Sequence, residues 1–197
     1  MRLLVFGLLL ASAGAGTGHA QSGQGPFGLR MGMNLAEIQK AGVKLRELGQ
    51  DDPDYSKFEY AATALPIRNP IFVKYTMLVT PKNGLCDLTA YSGEYKSLEK
   101  AEADYNLLVR QLENQYGVFS DVDSESPTKM FIWGALKSGD RPINTAYRTI
   151  SIHLVGGDSS LSFAPFIMLS YTGTRYWTEC HDEVEEADRA DPRRNGL

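Results

Sequence analysis

The chain has 197 residues, 43% of them hydrophobic, with 24 acidic against 20 basic side chains and a formal net charge of −4. That apolar content and ten tyrosines suit a folded globule and argue against disorder. No basic stripe is present, so nucleic acid and anionic membrane surfaces are not expected partners. The acidity is local: Glu179, Asp182, Glu183, Glu185, Glu186, Asp188 and Asp191 face only Arg189, Arg193 and Arg194, which leaves the body near neutral.

At the start, Met1 and Arg2 give a short positive region, residues 3–10 an apolar run, and Gly18-His19-Ala20 a small–x–small cleavage site. This pattern predicts a secretory signal peptide over residues 1–20. No later stretch approaches about 18 consecutive apolar residues, so no transmembrane segment is expected after signal removal. The predicted location is periplasmic or secreted. Cys86 and Cys180 are the only cysteines, and two thiols in an oxidising compartment are expected to pair.

Residues 21–178 read as one α+β domain. Asn34 and Glu37 form a capping box that opens a short helix, with Leu35, Ile38 and Ala41 on its apolar face and Gly42 at its end. A short strand is expected within 55–62. Residues 71–80 alternate, with Ile71, Val73, Tyr75, Met77 and Val79 on one face. Asn83-Gly84 is a turn signal, and a return strand over 85–91 completes a hairpin. Ser97 then caps a second helix, in which Leu98, Ala101, Tyr105, Leu108, Leu112 and Tyr116 recur at helical spacing before Gly117. After a polar loop over 120–128, strands are expected at 130–136, 147–155 and 165–172. The pattern is α-β-β-β twice (about 29–92 and 97–173). It predicts one antiparallel sheet with two helices on one face. Residues 179–197 read as an acidic, flexible tail.

The stretch Leu29-Arg-Met-Gly-Met-Asn-Leu-Ala-Glu-Ile-Gln-Lys-Ala-Gly42 resembles the helix opening of the SmpA/OmlA-type outer-membrane assembly lipoproteins and the related β-lactamase-inhibitor-like fold. Those proteins pack a pair of helices on a small antiparallel sheet, and tandem copies occur in the inhibitor type. The resemblance implies protein binding on an exported α+β scaffold and carries no active-site residues. Two features depart from it: the residue directly after the cleavage site is Gln21 and not a lipidated cysteine, and one helix precedes each strand group instead of two.

Catalytic signatures are sparse. His153 falls on a strand beside Ser151, where it reads as a solvent-facing residue on the uncovered side of the sheet in preference to a general base near Tyr147 or Ser151. His181 lies between Cys180 and the acids Asp182 and Glu183, a composition shared by a metal site and a solvated tail. Ser97-Leu-Glu-Lys100 matches a Ser-x-x-Lys motif without its companion motifs, and Ser97 already reads as a cap. Asp121-Val-Asp123-Ser-Glu125 imitates a calcium loop, but Ser126 and Ile132 occupy positions that need glycine and glutamate. No metal and no cofactor are predicted. The best interaction signal is aromatic: Trp133, Tyr147, Tyr171, Tyr176 and Trp177, with Arg175 and His153, have the composition of a binding surface. The same rings also suit a core that seals the sheet.

These observations lead to an exported, non-enzymatic module of the cell envelope that binds an envelope or secreted protein. The alternatives are a hydrolase built around His153 and a small-ligand carrier with an apolar cavity between helices and sheet. N-terminal sequencing of the exported protein should find Gln21 first, within two residues; a retained Met1 would contradict the leader assignment.

Overall fold

The computed structural model describes residues 25–49, 55–119, 121–123, 129–134, 143, 146–156 and 164–191, with backbone alone at 121–123 and 177. The expected leader, residues 124–128 of the expected polar loop and residues 192–197 lie outside the described residues. Helix α1 (Leu35–Lys40) precedes strands β1 (Arg46–Glu47), β2 (Glu59–Ala62), β3 (Phe72–Thr80) and β4 (Gly84–Ser92). Helix α2 (Leu98–Tyr116) precedes β5 (Asp121–Asp123), β6 (Lys129–Gly134), β7 (Tyr147–Val155) and β8 (Phe166–Gly173). Each half is therefore α-β-β-β-β. The two extra strands, β1 and β5, are too short to leave a periodic signal.

All eight strands form one antiparallel sheet in the order β1-β2-β3-β4-β8-β7-β6-β5. The second half mirrors the first, and the two meet where Leu88 pairs with Tyr171 and Ala90 with Leu169. The fold is α+β, with α1 and α2 on the same face of the sheet. Ile38 from α1 and Ala101, Tyr105, Leu108 and Leu112 from α2 join Met77, Leu88, Ile150, Ile152, Ile167 and Leu169 in one continuous core.

Local chemistry explains the element ends. Asn34 Oδ1 accepts from the Glu37 amide at 3.0 Å, and Glu37 Oε2 accepts from the Asn34 amide at 2.9 Å, completing the capping box. Ser97 accepts from the Lys100 amide at 3.4 Å, and Gly117 closes α2 with φ of 84°. The Ser-x-x-Lys motif is thus a helix start. At the β3–β4 turn, Gly84 has φ of 69°, and a Cβ there would stand 2.3 Å from the Gly32 carbonyl oxygen. Only glycine fits that approach.

Three strands depart from simple alternation, with extra residues at Val73 in β3, Cys86 in β4 and Arg148 in β7. Phe72 pairs with Ser92 and Lys74 with Tyr91, so Val73 is an extra residue in a bulge. Phe72 consequently enters the core, while Val73 is 55% exposed. A segment without periodicity also contributes. The 3-10 turn Pro26–Gly28 sets the Phe27 ring edge-on to Phe72, Tyr75 and Tyr171, with centroids 5.7, 5.3 and 6.1 Å away. Phe27 adopts φ of 55°, a conformation uncommon for residues other than glycine.

Cys86 and Cys180 are disulfide-bonded, with Cα atoms 6.4 Å apart. A single π-helical turn (Tyr176–Cys180) leads into helix α3 (His181–Arg189). The segment expected to be a flexible tail is thus helical over 181–189 and docked. The Glu183 carboxylate is buried, accepting from the Lys82 amide at 2.9 Å and from Asn83 Nδ2 at 3.1 Å. A carboxylate aimed at turn donors thus anchors a segment whose apolar residues are only Val184, Ala187 and Ala190 over 181–190. Closing 94 positions stabilises by about 4 to 5 kcal/mol on loop-entropy grounds. Glu183→Ala should cost about 1 to 2 kcal/mol. In urea unfolding, Cys86→Ser with Cys180→Ser should therefore lose more stability than Glu183→Ala. The reverse order would contradict this placement of the two anchors.

Candidate functional site

The aromatic candidates are not brought together on a surface. Trp133 is 2% exposed and donates from Nε1 to the Gly117 carbonyl at 2.7 Å, which ties β6 to the end of α2. Tyr147 and Tyr171 are buried with ring centroids 5.8 Å apart, and burial pushes both phenols far above their usual range. These three residues complete the core beneath the helices and are unavailable to a partner. Arg175 is exposed and pairs through Nε with Glu179 at 3.5 Å. Tyr176 is half-buried, and the Trp177 side chain lies outside the described residues.

His153 occupies the opposite face, which neither α1 nor α2 covers. Strand alternation puts Thr76, Thr89, Ser170 and Ser151 in one row across β3, β4, β8 and β7 of that face. Glu59, Leu78, Asp87, Thr172 and Thr149 form the next row, and Tyr91, Met168 and His153 a third. The surface is thus rich in hydroxyls, with Glu59, Asp87 and, beside Tyr91, Lys74 as its charged side chains. Toward the β6 side, Ile132 on the same face is buried.

Asp87 is the most unusual group on this face. Its Oδ1 accepts from the Thr89 hydroxyl at 3.1 Å and its Oδ2 from the Thr172 hydroxyl at 3.0 Å. Burial pushes the carboxyl up to about 6, the two threonine donors pull it back, and the nearby Glu59 charge adds to the rise. Tyr176 faces the same pair: burial, then the charges of Asp87 and Glu59, raises its phenol. Tyr176 is therefore a neutral neighbour at pH 7. Sequence reading missed Asp87 because one acid in a mostly apolar strand has no signature before strand pairing sets Thr172 beside it.

Burial lowers the His153 pKa and favours a neutral ring, whose Nε2 lies 3.1 Å from Ser151 Oγ. Two strand spacings and four residues of β8 separate His153 from Asp87, on the order of 15 Å. The two groups cannot share a proton. His181 lies on exposed α3, with Nδ1 3.4 Å from Glu185. Backbone 121–123 of the calcium-like stretch is extended and paired with β6. Among the described residues, no group of three or more His, Cys, Asp or Glu is placed to hold a metal ion, and no helix is long and apolar enough to cross a membrane.

An open cleft of about 290 Å³ lies at the hairpin end of the sheet, lined by Met31, Asn83, Leu85, Thr174 and the Cys86–Cys180 disulfide. It sits outside the helix–sheet interior, where a carrier would hold its ligand. No family model, curated protein or solved structure matches the chain.

The raised carboxyl makes a signed prediction. Folded Asp87 holds its proton more tightly than the unfolded residue, so its contribution favours folding below about pH 4 and is lost as pH rises through about 6. The loss amounts to about 1 to 3 kcal/mol. Asp87→Asn should flatten the fall in stability between pH 4 and 6 and raise stability at pH 8. Superimposable pH–stability curves for the two proteins would contradict the assignment.

Proposed function

We propose that the chain is an exported, non-enzymatic binding module of the cell envelope whose sheet face opposite α1 and α2 receives another envelope or secreted protein. One observation carries this reading: α1 and α2 pack on one side of the sheet, and the other side, which the Tyr176–Cys180 turn meets beside Asp87, is rich in hydroxyls. Hydroxyls on paired strands are held in register by the backbone, so they offer hydrogen bonds at little further entropic cost. The disulfide and the helix opening over Leu29–Gly42, with its resemblance to exported assembly lipoproteins, support an extracytoplasmic setting. The hydrolase reading rests on one specific feature, a His153 ring beside a serine hydroxyl.

Crosslinking capture from the native compartment should use the wild type, Thr76→Arg with Ser151→Arg on the face opposite α1 and α2, and Leu107→Arg on the exposed side of α2. A partner that is retained by Leu107→Arg and lost by the double variant is the expected result. Equal capture by all three would move the interface elsewhere. A turnover abolished by His153→Ala, with no partner above background, would replace the proposal with the hydrolase.

A further inference from the structure

The centre of the face opposite α1 and α2 holds a chain of three oxygens in hydrogen-bond contact. Asp87 Oδ1 lies 3.1 Å from the Thr89 hydroxyl, which lies 2.8 Å from the Ser170 hydroxyl across the β4–β8 pairing. Either hydroxyl of the second pair can be its donor. We propose that Asp87, Thr89 and Ser170 form a hydrogen-bond chain whose direction is set by one proton on Asp87. The face then offers Ser170 as an acceptor when Asp87 is ionised and as a donor when it is protonated.

The argument follows from donor inventory. An ionised carboxylate has only acceptors, so Thr89 must donate to it. The Thr89 lone pairs then take the Ser170 proton, and Ser170 presents only lone pairs outward. One proton from water onto Oδ1 makes that oxygen a donor to Thr89. The Thr89 hydrogen turns to Ser170, and the Ser170 hydrogen turns away from the chain. No bond between heavy atoms forms or breaks, and the net charge of the face rises by one.

Thr172 fixes the site of protonation. Its hydroxyl donates to Oδ2 at 3.0 Å in both states, which leaves Oδ1 for the proton. The other groups facing Asp87 do not cancel its charge: Glu59 of β2 is a second acid, and Tyr176 from the C-terminal turn has a raised phenol. Among the described residues, no basic side chain forms an ion pair with Asp87. Burial accordingly places the transition near pH 6, a range that an exported protein meets. The consequence for recognition rests on the proposed binding role of this face; the chain of oxygens does not.

Carbon-detected NMR titration of the wild type tests the relay directly. The Asp87 carboxyl carbon should titrate near pH 6, with the Ser170 Cβ signal following at the same midpoint. In Thr89→Val, Asp87 should still titrate while Ser170 stops responding. In Thr172→Val the Ser170 response should persist, because the removed hydroxyl serves the other oxygen. A wild-type Ser170 signal that ignores the Asp87 midpoint, or one that still follows it in Thr89→Val, overturns the proposal. If either variant fails to fold, the wild-type co-titration decides alone. No partner is needed, so a failed search for one leaves the relay standing, and a failed relay leaves the binding surface standing.

Discussion

The pairing of β4 with β8 governs the rest of the molecule. It is the seam at which two mirrored strand groups become one sheet, and it sets Leu88 against Tyr171 and Ala90 against Leu169 on a single face. Once that register holds, the apolar residues of both halves share one side, and α1 and α2 must both pack there to keep them from water. A slip of one residue would send Asp87 and Thr89 into the core and the leucines to solvent. The disulfide acts on the same seam, since Cys86 belongs to β4 and Cys180 follows closely after β8.

Much of this architecture was legible from periodicity. The second helix and the Tyr147–Val155 strand stand where spacing, cap and stop residues put them. The Cys86–Cys180 bond was legible from compartment and parity alone. What escaped was whatever depends on a single residue meeting a distant one. β1 is two residues long and exists only because Arg46 and Glu47 find β2. The Val73 bulge is invisible in a pattern that alternates through it. Phe27 fills its place among Phe72, Tyr75 and Tyr171 from an irregular turn. The C-terminal helix looked too polar to dock because its anchor is a carboxylate, Glu183, and not an apolar stripe.

The same distinction separates the aromatic candidates from the surface that the fold presents. Composition cannot tell a binding ring from a core ring, since both want Tyr and Trp. Strand pairing can: Trp133 and Tyr171 both pair with Ile150 and share its face, Tyr147 is turned to that face by a bulge at Arg148, and His153 and Ser151 alternate to the other. The functional emphasis therefore moves from aromatic rings to hydroxyls, with the Asp87 carboxyl held between two of them.

The binding proposal requires that the sheet face opposite α1 and α2 be more accessible to solvent than the face beneath them. Hydroxyl-radical footprinting of the intact, oxidised protein tests this most directly, because each face carries its own reporters. Tyr91 and Met168 lie half-buried on the face opposite α1 and α2, while Met77, Tyr75 and Trp133 are buried beneath the helices. Faster modification of Tyr91 and Met168 than of Met77, Tyr75 and Trp133 is the predicted result. Protection of Tyr91 and Met168 equal to that of the core residues would contradict the account.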